Sequence, residues 1–185
     1  HDSSPRYSPD GTSLAWLRRV KPRFYAERPR LAVWNREART HRVLTDDWDR
    51  SPSAPAWTSD SSRLLFIAED QGRNPLWSIQ AQGGRPTQIL AGTVGNFEIS
   101  KNRGLLVATR STLSQPGRML AHRLTRLDSE NTAAPVAIES FNTALVGSWK
   151  LGTVAQTNIA GWNGEPVQSW ITYPPEFDPG KKWPL

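Results

Sequence analysis

Two groups of aspartates are the side chains in this sequence that are best suited to catalysis or metal binding. Asp10 and Asp60 occupy the same place in two similar segments, and Asp46, Asp47 and Asp49 lie close together. Carboxylates act as general acids or bases and as ligands of hard cations such as Ca²⁺. A calcium loop spaces its oxygen donors regularly and many other metal sites use paired histidines, and neither pattern occurs here. We therefore expect no metal and no cofactor.

The aspartates must be positioned by turns. The first turn reads Ser-Pro-Asp-Gly, in which proline presets φ, the carboxylate accepts from nearby backbone N–H groups and glycine tolerates a positive φ. We interpret Asp10 and Asp60 as turn residues, with a catalytic or metal-binding role as the alternative. The Asp46, Asp47 and Asp49 cluster precedes the segment RSPSAPAW, where we expect it to cap a turn.

The elements around these turns repeat. Residues 7–17 (YSPDGTSLAWL) align with residues 57–67 (WTSDSSRLLFI) at an offset of 50. A weaker third copy, residues 99–109 (ISKNRGLLVAT), follows at an offset of 41 and matches Leu105 with Leu64. After each turn the pattern predicts an apolar strand, a second strand and a short last strand.

Four short strands in each unit of 40 to 50 residues are typical of β-propeller blades. We predict an all-β fold in which residues 1–145 form about three blades of four antiparallel strands. Tryptophan and phenylalanine alternate within the strands, so we expect them to pack between blades rather than to form a stacking platform for sugars. Residues 146–185 form a separate segment that contains a hairpin, with Asn163 and Gly164 at its turn.

Charge and composition restrict the partners. The net charge is +6 and the pI is near 10.2, but a nucleic-acid site requires clustered basic residues. The nearest approach to a cluster is Arg18, Arg19, Lys21 and Arg23, which we interpret as a solvated surface, and we expect no nucleic-acid partner. The longest apolar run, residues 64–68, is too short to cross a membrane. The sequence contains no cysteine, so the compartment stays open between periplasmic, secreted and cytoplasmic.

Four segments resemble the prolyl oligopeptidase-type serine peptidases, specifically the dipeptidyl-peptidase and acylaminoacyl-peptidase branch. They are NGEPVQSWITYPPEFDPGKKWPL (163–185), LTDDWDRSPSAPAWTSDSSRLLFIAEDQGRNPLWSI (44–79), ATRSTLSQPGRML (108–120) and FNTAL (141–145). The resemblance implies the last blades of a propeller followed by the first hairpin of an α/β-hydrolase domain. It also implies that the chain is a fragment that stops before the central hydrolase strand.

The resemblance implies a substrate-gating role in a serine exopeptidase that releases dipeptides or acyl amino acids from short peptides. No serine lies in a Gly-x-Ser-x-Gly motif, and His1, His41 and His122 precede the region where the family places its base. We assign no catalytic residue and expect the chain alone to be inactive. Glu27, in FYAERP, is similar to the acidic position that binds the free amino terminus of the substrate. The alternative is an exposed carboxylate that pairs with Arg23, Arg28 or Arg30.

A second function class stays open, a non-enzymatic propeller that binds other proteins. The segment PPEFDPGKKWPL favours the exopeptidase over the binding propeller, because a binding propeller has no reason to carry such a junction after its last blade. The expected partners are peptides, the remaining blades and the hydrolase domain, with homo-oligomerisation left open. Because a blade buries its faces only against neighbours, we expect the isolated 185-residue chain to self-associate or to fold marginally.

Overall fold

The computed structural model describes residues 2–21, 24, 26–101, 104–124 and 134–184. These residues form three four-stranded antiparallel sheets, one after another, and then a two-stranded sheet. The first sheet contains β1 (Asp2–Tyr7), β2 (Ser13–Arg18), β3 (Arg30–Asn35) and β4 (Thr40–Val43). The second contains β5 (Ser53–Trp57), β6 (Arg63–Ile67), β7 (Leu76–Gln80) and β8 (Thr87–Leu90). The third contains β9 (Thr93–Ile99), β10 (Leu105–Thr112), β11 (Gln115–Arg123) and β12 (Val136–Ala137).

The remaining elements of the described chain are a short helix, α1 (Thr143–Gly147), and the hairpin of β13 (Val154–Ala160) and β14 (Pro166–Thr172), with a 3₁₀ turn (Trp162–Gly164) between its strands. No helix in the described ranges is long and apolar enough to cross a membrane. The hairpin turns at Asn163 and Gly164, whose φ values are 60° and 80°. This is the predicted turn, because asparagine and glycine tolerate positive φ best.

The aspartates of the repeated turns perform the predicted structural role. The carboxylate of Asp10 accepts from the Thr12 N–H at 3.0 Å, and that of Asp60 accepts from the Ser62 N–H at 3.1 Å. Hydrogen bonds from the Ser8 hydroxyl and then from the Thr12 N–H hold the pKa of Asp10 below its usual value. Both carboxylates are therefore used within their own turns.

Two apolar layers between the sheets form the core. Leu31, Leu64 and Phe66 are fully buried between the first and second sheets. Leu65 and Leu106 are fully buried between the second and third. Because successive residues of a strand point to opposite faces, β6 supplies Leu64 to one layer and Leu65 to the other. This packing of each sheet against the next confirms the predicted partial β-propeller.

The first sheet also has a face that is not covered by the second. Leu14, Trp16 and Trp34 line an open apolar groove of about 340 Å³ on this face. Leu14 pairs with Tyr7 as Leu64 pairs with Trp57, so the offset of 50 between the first two repeats is confirmed.

The predicted register of the third repeat is wrong by one residue. Leu106 of β10, not Leu105, corresponds to Leu64, because Leu106 pairs with Ile99 as Leu64 pairs with Trp57. Ser100 accepts from the Leu105 N–H as Thr58 accepts from the Arg63 N–H, so Ser100 corresponds to Thr58 rather than to Ser59. A shift of one residue moves every side chain to the opposite face, which is why Leu106 lies in the core.

Candidate functional site

The connections between strands lie at two opposite ends of the sheets, which we call the turn edge and the linker edge. Successive connections alternate between these two ends because the strands are antiparallel. The turn edge carries the β1–β2, β5–β6 and β9–β10 turns. In the described part of the chain, the linker edge carries residues 19–21, 24 and 26–29 and the segments 44–52, 68–75, 91–92 and 113–114. Segments that connect one sheet to the next lie at the linker edge, and so does the loop that contains Glu27.

Glu27 is buried at the linker edge, with 6% of its side chain exposed. Its carboxylate accepts a short hydrogen bond from the Lys21 backbone N–H and another from the Arg30 guanidinium at 3.0 Å. Burial by itself would raise the pKa of Glu27, but these hydrogen bonds outweigh it and the pKa lies below its usual value. The alternative expectation of an exposed carboxylate is therefore wrong about exposure, because the Glu27 side chain is buried. It named Arg30 correctly as one of the possible partners.

Two arginines connect the Glu27 loop to the linker of residues 44–52 through hydrogen bonds and an ion pair. The guanidinium of Arg30 also lies 2.9 Å from the carboxylate of Asp46, whose side chain is 65% exposed. Arg28 donates to the backbone carbonyls of Thr45 at 2.9 Å and of Asp46 at 2.8 Å, and also to that of Trp48. Glu27, Arg30 and Asp46 therefore form one charged row, with the two carboxylates on either side of the guanidinium.

The acidic cluster of residues 46–49 does not cap a turn as expected. Among the contacts of the described residues, Asp46 pairs with Arg30 and Asp49 lies 3.8 Å from Arg50. For Asp46 and Asp49 the physical reason is that an arginine guanidinium, rather than a free backbone N–H group, lies next to each carboxylate. The nearness of Asp46 to Glu27 could not be predicted, since the two residues are 19 positions apart in the chain.

The histidines lie apart from this row. His41 is on the outer strand β4 of the first sheet, where its ring contacts the Arg18 guanidinium at 3.3 Å. His122 is buried in β11, and its two ring nitrogens have no hydrogen-bond partner within the described part of the chain. Burial lowers the pKa of His122. His1 lies outside the described residues.

Two of the basic residues near the end of β2, Arg19 and Lys21, contribute to the same loop. The Arg19 guanidinium donates to the Glu27 carbonyl at 3.0 Å, and the Lys21 ammonium lies 5.7 Å from the centre of the Phe24 ring. Arg23 lies outside the described residues.

The β13–β14 hairpin also lies against the linker edge. The Gln168 amide donates to the Gln71 carbonyl at 3.0 Å, and the Arg73 guanidinium lies 4.7 Å from the centre of the Trp170 ring. Gln71 and Arg73 belong to the β6–β7 loop at that edge. The hairpin and the Glu27 loop are therefore on the same side of the sheets.

Curated relatives match the chain from end to end. Dipeptidyl-peptidase 5 of Porphyromonas gingivalis is 25% identical over 184 residues, which are 100% of this chain and 26% of the relative. Probable dipeptidyl-peptidase 5 of Aspergillus niger is 28% identical over 193 residues, 99% of this chain and 25% of the relative. The chain thus spans about a quarter of the length of these relatives. No profile of a known protein family matches it.

Solved structures share the fold. An acylaminoacyl peptidase in complex with Z-Gly-Gly-Phe-chloromethyl ketone superposes with a TM-score of 0.71 at 15% identity, over 95% of this chain and 25% of that one. The β-propeller domain of the trilobed protease from Pyrococcus furiosus superposes with a TM-score of 0.50 at 15% identity, over 68% of this chain and 38% of that one. Together with the curated relatives, these likenesses confirm that the chain resembles a segment of the prolyl oligopeptidase-type serine peptidases, in their dipeptidyl-peptidase and acylaminoacyl-peptidase branch.

Proposed function

We propose that this chain is the substrate-gating part of the propeller in a serine exopeptidase that releases dipeptides, or acyl amino acids, from peptide N-termini. The observation that carries the proposal is the end-to-end match with the dipeptidyl-peptidase 5 relatives. Because the chain spans a quarter of their length, the activity is proposed for the protein that contains this chain.

The arrangement of the linker edge supports a gating role. The β13–β14 hairpin leads onward to residues 173–184 and lies against the same edge as the Glu27 loop. A catalytic domain that continues from this hairpin would face the linker edge. We propose the predicted division of the chain accordingly, with propeller blades in residues 1–145 and the entry to the catalytic domain in residues 146–185.

We propose that Glu27 binds the free amino terminus of the peptide. Its lowered pKa keeps the carboxylate ionised at neutral pH, which a charge-assisted hydrogen bond to an ammonium requires. The Arg30 guanidinium donates to one of its oxygens at 3.0 Å and the Lys21 backbone N–H donates to the other, so the substrate ammonium shares the carboxylate with both donors. Fixing the amino terminus at this point determines which peptide bond reaches the nucleophile.

The test is hydrolysis of fluorogenic Xaa-Ala substrates, free and acetylated at the amino terminus. The 185-residue chain is compared with the gene product extended through the proposed catalytic domain. We expect only the extended protein to cleave, with dipeptidyl release favouring the free substrates and acyl-amino-acid release favouring the acetylated ones. If the extended protein is inert toward both sets and toward serine-directed phosphonates, the peptidase proposal is wrong and the binding-propeller alternative takes its place.

A further inference from the structure

A cleft of about 650 Å³ lies between the linker edge of the sheets and the β13–β14 hairpin. Its walls come from the second sheet, the third sheet and the hairpin, and they include Arg73, Thr93, Ser111, Ser114, Thr153 and Trp170. Residues far apart in sequence form this hairpin cleft, so no motif marks it. Its volume is in the range of ligand sites in proteins, about 300 to 1,000 Å³.

The hairpin cleft has one charged group. Among its described lining residues Arg73 is the only ionisable side chain, and no aspartate or glutamate is present. The Arg73 guanidinium stacks on Trp170, with 4.7 Å to the ring centre. Such stacking orients the guanidinium and leaves its N–H groups available to a second partner.

The nearby carboxylate is already paired elsewhere. The backbones of Asp70 and Arg73 exchange two hydrogen bonds, of 2.9 and 3.0 Å. The Asp70 carboxylate, however, accepts from the Arg50 guanidinium at 2.7 and 3.1 Å. Within the described residues the Arg73 side chain makes no hydrogen bond or ion pair, so its charge is free for a ligand.

The other polar groups of the cleft suit a peptide. Thr93, Ser111, Ser114 and Thr153 contribute hydroxyl groups to the lining of the same cleft. A hydroxyl can donate to a carboxylate oxygen and can accept from a peptide N–H. A planar guanidinium binds a carboxylate through two parallel hydrogen bonds.

We propose that the hairpin cleft binds a carboxylate of the peptide substrate, either its C-terminal carboxylate or an acidic side chain, through Arg73. The inference rests on the proposed function for the nature of the ligand. It places a second anchor on the same side of the sheets as Glu27, but on the second and third sheets rather than the first. Peptides that carry a carboxylate at the matching distance from the amino terminus are then bound most tightly.

The test measures binding to the extended protein after inactivation with a serine-directed phosphonate, so that peptides are not consumed. Labelled hexapeptides with a free C-terminus, with an amidated C-terminus, and amidated with one internal aspartate are titrated by fluorescence anisotropy. We expect the free acid or the aspartate peptide to bind about tenfold more tightly than the uncharged amide, as one charge-assisted pair provides. Which of the two binds identifies the source of the carboxylate.

Arg73→Gln must abolish this difference, and Trp170→Ala must reduce it. Arg85→Gln removes the same charge from an exposed position outside the cleft and must leave the difference intact. The proposal would be overturned if the unsubstituted protein bound the peptides with a carboxylate and the uncharged amide equally tightly. It would also be overturned if Arg73→Gln and Arg85→Gln reduced the difference in affinity by the same factor. If the protein does not react with the phosphonate, the same titration is run without it, so failure of the peptidase proposal does not affect this test.

Discussion

The indole N–H of Trp57 donates a hydrogen bond to the backbone carbonyl of Arg6 at 2.9 Å. The bond joins β5 of the second sheet to β1 of the first. A second link lies beside it, from the Asp10 N–H to the Ser61 hydroxyl at 3.2 Å. The two sheets are therefore connected by directional contacts as well as by their shared apolar layer.

Trp57→Phe tests the first of these links. The variant keeps an aromatic ring in the core but leaves the Arg6 carbonyl without its donor, so we expect the free energy of unfolding to fall by about 1 kcal/mol. Urea unfolding followed by circular dichroism measures the change. Trp162→Phe, at a side chain that is 86% exposed, is the matched control and should change stability by less than about 0.5 kcal/mol. Equal effects of the two substitutions would contradict the role of the bond.

Glu27→Gln tests the proposed binding of the amino terminus. Loss of the charge should raise KM for substrates with a free amino terminus about ten- to hundredfold, as loss of a charge-assisted hydrogen bond does. KM for acetylated substrates should change little, because they carry no ammonium. Glu37→Gln, in the exposed β3–β4 turn at the opposite edge, is the control. If Glu27→Gln impairs both substrate classes equally, Glu27 only stabilises its loop.

His122 makes the stability depend on pH. Because burial lowers the pKa of His122 in the folded protein, the unfolded chain, in which the pKa is about 6.5, binds the proton more readily. The contribution of neutral His122 to stability is therefore fully present above the pKa of the unfolded chain. It is lost as the pH falls through that value toward the lower pKa of the folded protein. The carboxyl groups with lowered pKa, such as Asp10 and Asp60, lose their contribution only at more acidic pH.

The measurement for His122 is urea unfolding at a series of pH values from about 7 to about 5. We expect His122→Gln to flatten the loss of stability over this range, because the side chain no longer titrates. His41→Gln should retain the loss, since His41 is exposed at the surface of β4. An unchanged slope in His122→Gln would show that another group carries it.

Gly152→Ala should displace the β13–β14 hairpin. A Cβ at residue 152 would lie 1.7 Å from the carbonyl oxygen of Tyr173, and a backbone atom cannot move aside as a side chain does. We expect a destabilisation of about 1 to 3 kcal/mol and faster proteolysis around residues 148–153. At Gly147, in α1, a Cβ meets nothing within 4 Å, and Gly147→Ala should be tolerated. Equal resistance of both variants to proteolysis would argue against a close contact at Gly152.

The sequence predicts those parts of the fold that depend on local chemistry. The aspartate turns around Asp10 and Asp60, the Asn163–Gly164 hairpin and the all-β class follow from side chains that act within a few residues. The register of the third repeat is mispredicted because residues 99–105 contain no aspartate, and the third turn therefore lacks the marker that aligned the other two.

The candidate sites were less predictable, because long-range contacts build them. The FYAERP motif identified Glu27 as a candidate, but its burial depends on Lys21 and Arg30. The stack of Arg73 on Trp170 joins residues that are 97 positions apart. No local pattern encodes such a separation, and only the folded chain brings the two side chains together.

The burial of β6 at all five of its positions predicts the order in which the sheets open. A central sheet that is covered on both faces loses two interfaces when it unfolds, whereas an outer sheet of the described chain loses one. Amide hydrogen exchange should therefore be slowest in β6, where it reports global unfolding, and faster in β2 and β10, where it reports local opening. The middle blade then sets the kinetic lifetime of the folded chain, and its neighbours fray first.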